Sequence, residues 1–172
     1  MILSFSRYWM RYWINLFPGS FFRVARNLFW RSVGFHVHRD ANLMSTVKLI
    51  CWDIEIGSGT YVGEEVMITG GKISIGLNCD IAPRCILHAG SHEIGVNDRR
   101  AGKTFGSFII IGNGCWIGTS ATILAGVKLG KGTMVAAGAV VMSGQYPDNV
   151  LLAGTPARIK KYLPPLQDGT GK

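Results

Sequence analysis

The 172-residue sequence predicts an all-β fold, a parallel β-helix of about five triangular coils. Three observations predict it. Aliphatic residues recur at a step of six, from Val37, Leu43 and Leu49 through to Leu129, Val135 and Val141. The next position is often small (Gly57, Gly63, Gly76, Ala82, Gly112, Gly118, Gly130, Ala136), and so is the fifth (Thr60, Cys79, Cys85, Cys115, Ala121, Ala139). The step is broken only after complete groups of three hexads, between Leu49 and Ile56, Ile68 and Ile75, and Leu87 and Ile111. A period of six is neither that of a surface helix nor that of an alternating strand. Glycine after the aliphatic suits a corner where a Cβ would be crowded.

Residues 1–35 come first and differ in composition. They carry Arg7, Arg11, Arg23, Arg26 and Arg31 with no acid, which is +5 of the net charge of +8, and eleven of the eighteen aromatics. Ser4, Arg7, Arg11 and Asn15 form a polar stripe at helical spacing. Pro18-Gly19-Ser20 reads as a turn with Ser20 as N-cap, and residues 21–33 form a second helix with Arg23, Arg26, Asn27 and Arg31 on one face. Residues 1–34 suit either an interfacial hairpin on an anionic membrane surface or a helix pair packed on protein. They are too interrupted by arginine to span a bilayer and lack the plan of a signal peptide. The charge is interleaved with Trp and Phe, which argues against nucleic acid.

The β-helix is expected over 36–146, with three inward stacks. These are Val37/Ile56/Ile75/Ile111/Leu129, Leu43/Val62/Ile81/Ile117/Val135 and Leu49/Ile68/Leu87/Ile123/Val141. At a strand spacing of ~4.8 Å the prism is roughly 24 Å tall. Cys79, Cys85 and Cys115 occupy inward fifth positions as small hydrophobes, and reduced thiols imply a reducing, cytoplasmic compartment.

Residues 88–110 leave the prism as a loop, and long loops in compact domains are usually functional. His92 lies at its base. A histidine there serves as a general base or is an ordinary solvated side chain. His88 is a second candidate with a supporting role. Residues 147–163 are expected as a cap with a short helix, and 164–172 as a disordered tail.

Gly90-Ser91-His92-Glu93, the insertion, Ile111-Gly-Asn-Gly-Cys-Trp116-Ile-Gly-Thr-Ser-Ala121, Leu124-Ala-Gly-Val-Lys-Leu-Gly130, Val135 to Val141 and Leu152-Ala-Gly-Thr-Pro-Ala-Arg158 follow one another. Together they resemble the hexapeptide-repeat acyltransferase family, in its sugar and polysaccharide O-acetyltransferase branch. The resemblance implies a left-handed coil, where physics alone favours right-handed crossovers. It implies a homotrimer with active sites between subunits, acetyl-CoA as co-substrate, a sugar or glycan acceptor, no metal, and His92 as catalytic base. Thr119, Ala137, Arg158 and Lys161 match positions that meet the oxyanion or CoA. Glu64, Glu65, Arg99, Arg100 and Trp116 are the groups expected to contact the acceptor. The acceptor-binding Asn and Asp of the galactoside and maltose enzymes align with Gly63 and Gly71, so another acceptor is expected: a cell-surface polysaccharide or its lipid-linked precursor. The alternatives are a non-catalytic β-helix scaffold and a γ-type carbonic anhydrase. The second needs three histidines around zinc, and His36 and His38 lie far along the chain from His88 and His92. The N-terminal segment adds peripheral attachment at the inner face of the plasma membrane to the expectations.

Overall fold

The computed structural model describes residues 22–96 and 98–167. The first expected helix, the Pro18–Ser20 turn and the end of the tail lie outside the described residues.

The three predicted stacks are the three faces of a left-handed parallel β-helix. On the first face Val37 pairs with Ile56, Ile56 with Ile75, Ile75 with Ile111 and Ile111 with Leu129. On the second, Leu43, Val62, Ile81, Ile117 and Val135 follow in register. On the third, Leu49, Ile68, Leu87, Ile123 and Val141 do the same. Two further rungs extend the count. Tyr146 pairs with Leu129 and Leu152 with Val135, so the solenoid has about 6 turns rather than about five. Every stack residue from Val37 to Val141 is buried.

Corners are made by two adjacent devices. The residue after the aliphatic is small because the next coil passes within contact: a Cβ on Gly118 would lie 2.6 Å from the Ala137 amide nitrogen. Two residues later the backbone enters the left-handed region. Between the second and third faces this column is Glu65 (φ 59), Arg84 (φ 63), Ser120 (φ 60) and Gly138 (φ 67).

The inward thiols are core, as expected. Cys79, Cys85 and Cys115 are buried and free, each with its Sγ near the carbonyl of a corner glycine. Burial pushes the Cys85 thiol up to about 11. The neighbouring Cys79 thiol, and then burial, push Cys115 up.

The helix Arg23–Ser32 closes the open end of the first coil, with its polar stripe turned partly inward. Arg26 and Asn27 are 3% and 1% exposed. Arg26 Nη2 donates to the Leu43 carbonyl at 2.9 Å and Asn27 Nδ2 to the Ala41 carbonyl at 2.7 Å. Coil-end carbonyls need donors, and this face supplies them. The second helix thus packs on the prism through this face. Arg26 is not free to meet lipid phosphate, and Val24, Ala25, Leu28, Arg31 and Ser32 are the residues of this helix left exposed. No helix among the described residues is long and apolar enough to cross a membrane.

Asp40 fastens the first coil to the second. Its carboxylate accepts from Ser58 Oγ at 2.8 Å and from the Gly59 amide at 3.3 Å, and meets His38 Nδ1. The Ser58 hydroxyl, then His38, hold its pKa down to about 2. The folded value lies below the ordinary ~3.9, so these bonds stabilise the fold above that pH and are lost as pH falls toward the folded value. Asp40→Asn should lower the melting temperature at pH 6, and the gap to the parent should close between pH 4 and 2. A gap constant with pH would refute the assignment.

The expected C-terminal helix is a strand instead. Val150–Gly154 and Ala157–Tyr162 form an antiparallel hairpin that extends the second face, with Arg158 opposite Ala153 and Lys161 opposite Leu151. A hairpin satisfies the last coil's edge, which a helix would leave open. The start of the expected tail is also placed. Just before it Leu163 N–H bonds the Asn149 carbonyl at 2.6 Å, and in the tail Leu166 lies over Gly114 and Gly132.

Candidate active site

The insertion after the third coil is a β-hairpin, Gly90–Ile94 against Ala101–Gly106, with His92 opposite Thr104. Its legs leave and rejoin the prism over Gly70-Gly71. A Cβ on Gly70 (φ +96) would lie 2.3 Å from the Gly90 nitrogen, and one on Gly71 would lie 2.0 Å from the Ser107 carbonyl oxygen. The Ala89 amide bonds the Thr69 carbonyl and the Ser107 amide bonds the Ala89 carbonyl, at 2.9 and 2.8 Å. No side chain has space at Gly71. The third and fourth coils stay in register beneath: Phe108–Ile111 pairs with Lys72 to Ile75.

His92 is exposed, and its Nδ1 lies 3.1 Å from the Gly102 carbonyl and 3.3 Å from Thr104 Oγ1. A carbonyl only accepts, so Nδ1 carries the proton and Nε2 keeps its lone pair. That is the tautomer a general base needs. His88 ends the strand Ile86–His88, outward on the third face, with its ring 3.2 Å from where a Gly90 Cβ would be.

Thr119 and Ala137 stack on successive coils at the corner between the second and third faces, where the Gly138 amide bonds the Thr119 carbonyl at 2.9 Å. In the Thr119 turn the amides of Gly118, Ser120 and Ala121 donate to carbonyls of Val135, Pro83 and Gly118. The Thr119 amide takes no part in these bonds. Above it the groove is open: a Cβ on Gly138 would meet nothing within 4 Å.

The remaining expected groups are dispersed. Arg158 and Lys161 are exposed on the terminal hairpin. Trp116, 51% exposed, stands on the second face between Asp80 and Met134. Arg99 and Arg100 lie at the tip of the insertion, with Arg100 Nη1 donating to the Gly95 carbonyl at 3.3 Å. Glu64 accepts from Tyr61 at 3.5 Å; burial, then the charges of Glu64 and Asp80, raise the Tyr61 pKa. Glu65 lines a groove of about 490 Å³ with Thr46, Lys48, Met67, Arg84 and Ile86. Lys48 and Arg84 were missed by sequence reading. The signal was present: both fall at outward hexad positions below Thr119. Among the described residues no group of three or more His, Cys, Asp or Glu side chains is placed to hold a metal ion.

Residues 108–142 match the bacterial transferase hexapeptide model of six repeats. A protein named the colanic acid biosynthesis acetyltransferase WcaF in Escherichia coli is 31% identical over 129 residues, 74% of this chain and 69% of its own. The chain belongs to the hexapeptide-repeat transferase family. Another member, the yeast protein YJL218W, carries an acetyltransferase name and is 35% identical over 116 residues, 63% of this chain and 59% of its own. The chain spans about three fifths of the length of the first curated relatives it matches (59% and 62%). A maltose O-acetyltransferase structure from Clostridium difficile shares the fold at a TM-score of 0.80 and 24% identity, over 94% of this chain and 88% of its own. A hexapeptide-repeat acetyltransferase from Vibrio cholerae, solved with acetyl coenzyme A, superposes at a TM-score of 0.67 and 28% identity, over 89% and 85%.

Proposed function

We propose that this protein is an acetyl-CoA-dependent O-acetyltransferase acting on a sugar hydroxyl of a cell-surface polysaccharide or its lipid-linked precursor. The observation that carries the reading is His92. Its Nδ1 faces a carbonyl and its Nε2 lone pair is available on an exposed hairpin rooted in the prism. Family relatives named as acetyltransferases, and a neighbour with acetyl coenzyme A bound, support it.

In this reading His92 Nε2 takes the proton of the acceptor hydroxyl while the oxygen attacks the thioester carbonyl carbon. The Thr119 amide donates to the oxyanion that develops. Collapse breaks the C–S bond, and the imidazolium proton passes to the departing thiolate. An ester and CoA thiol are the products, with no covalent enzyme intermediate. Ala137 and Gly138 leave room along the corner for the pantetheine arm, and Arg158 and Lys161 supply charge for the CoA phosphates.

The corner with Thr119 and the hairpin with His92 lie at the two edges of the third face, and Trp116 stands on the second. Two prisms of a homotrimer set side by side would bring such groups to one groove. Incubation with acetyl-CoA and a panel of sugar acceptors should release CoA thiol and yield acetylated sugar, from a protein that sediments as a trimer. No release with any acceptor would overturn the transferase reading, and a monomer in the active preparation would overturn the shared site.

A further inference from the structure

The corner between the second and third faces changes character along the prism. Its turn position reads Thr46, Glu65, Arg84, Ser120 and Gly138 from the first coil to the fifth, and it is left-handed from Glu65 onward. The outward position two residues on reads Lys48, Met67, Ile86, Thr122 and Val140. In the fourth and fifth coils, beside Thr119 and Ala137, this wall is small and uncharged. In the first three it is the groove of about 490 Å³ lined by Thr46, Lys48, Glu65, Met67, Arg84 and Ile86.

Two of those charges stand where the backbone disfavours any side chain. Glu65 and Arg84 have φ of 59° and 63°, a region that favours glycine. The same column accepts glycine at Gly138, so the fold does not require a side chain here. Residues held in such conformations cluster at ligand sites. Among the described residues neither Lys48 nor Arg84 is ion-paired; the pairs present are His38–Asp40 and Lys72–Asp53. The groove thus offers two cations against the one carboxylate of Glu65.

It also leads to the candidate base. Ile86 and His88 project from the same side of one strand, ~7 Å apart, and the hairpin bearing His92 begins at Gly90. One coil above Arg84, ~4.8 Å away, are Ser120 and the Thr119 turn.

We propose that Arg84 and Lys48 bind the anionic group, phosphate or carboxylate, of a charged sugar acceptor, with Glu65 accepting from its hydroxyls. The proposal deepens the transferase reading and rests on it. A fork of guanidinium donors suits either oxyanion. Its mouth on the third face presents the sugar toward His88 and His92.

The test uses the full chain, Arg84→Gly and Lys48→Gln, titrated with methyl glucuronoside, glucose 1-phosphate and neutral methyl glucoside. Glycine is the residue the Arg84 backbone prefers, so Arg84→Gly should melt no lower than the parent. The parent should bind a charged probe at least tenfold tighter than the neutral one, and each variant should lose most of that ratio. Tighter binding of the glucuronoside assigns a carboxylate, and of the sugar phosphate a phosphate. Equal binding of charged and neutral probes by the parent, or a ratio kept in both variants, overturns the proposal. CoA release is measured alongside. A parent that binds the charged probe but acetylates nothing overturns the transferase reading and leaves the anion subsite standing.

Discussion

His92→Ala should lower the rate of CoA release with a sugar acceptor by about 10²–10⁴, the usual contribution of a positioned general base. Its melting temperature should stay close to the parent's, because His92 is exposed and its bonds to Gly102 and Thr104 lie within the hairpin. The loss should appear in kcat with little change in acetyl-CoA affinity, since the proton moves only in the chemical step. A structural role would show the opposite signature, with lowered stability and a proportionate loss of binding. Thr104→Val, which removes an oxygen 3.3 Å from Nδ1 and leaves the Gly102 carbonyl, should cost far less. Rates for His92→Ala within threefold of the parent would sink the mechanism.

The hexad step made the prism legible because each inward residue meets its counterpart one coil away, so burial enforces the period directly. Ile75 and Ile111 are 36 positions apart yet paired in register, as the break after a complete group of three hexads required. His92 was legible for a related reason: the break in the step marked where the chain leaves the core. The helix Arg23–Ser32 was harder. Helical spacing puts Arg26 and Asn27 on one face but does not say which way that face points. The deciding fact is tertiary, the coil-end carbonyls of Ala41 and Leu43 that need donors. The terminal segment misled for the same reason. Ala157–Tyr162 contains residues that suit a helix, but an open sheet edge beside it takes them as a strand. Lys48 and Arg84 went unread as a pair because they are 36 positions apart. Only stacking the first and third coils brings them to one groove.

Gly71→Ala should be the more instructive loss, because it adds one methyl far from any reacting atom. That Cβ would lie 2.0 Å from the Ser107 carbonyl oxygen, 2.7 Å from its nitrogen and 2.9 Å from its carbonyl carbon. These are backbone atoms, and the Ser107 oxygen already accepts from the Lys72 amide at 2.9 Å. The returning leg of the hairpin must therefore move outward, by ~1 Å or more, and carry Thr104 and the His92 tautomer lock with it. Overpacking of this kind costs ~1–3 kcal/mol of stability. A displacement of ~1 Å at a reacting group can cost about 10² in rate. Gly106→Ala is the control: its Cβ would touch only the Gly71 Cα, at an ordinary 3.5 Å. Activity and melting temperature should both fall for Gly71→Ala and hold for Gly106→Ala. If the two variants behave alike, the hairpin root tolerates displacement, and the position of His92 is not set by the Gly70-Gly71 contact with the prism.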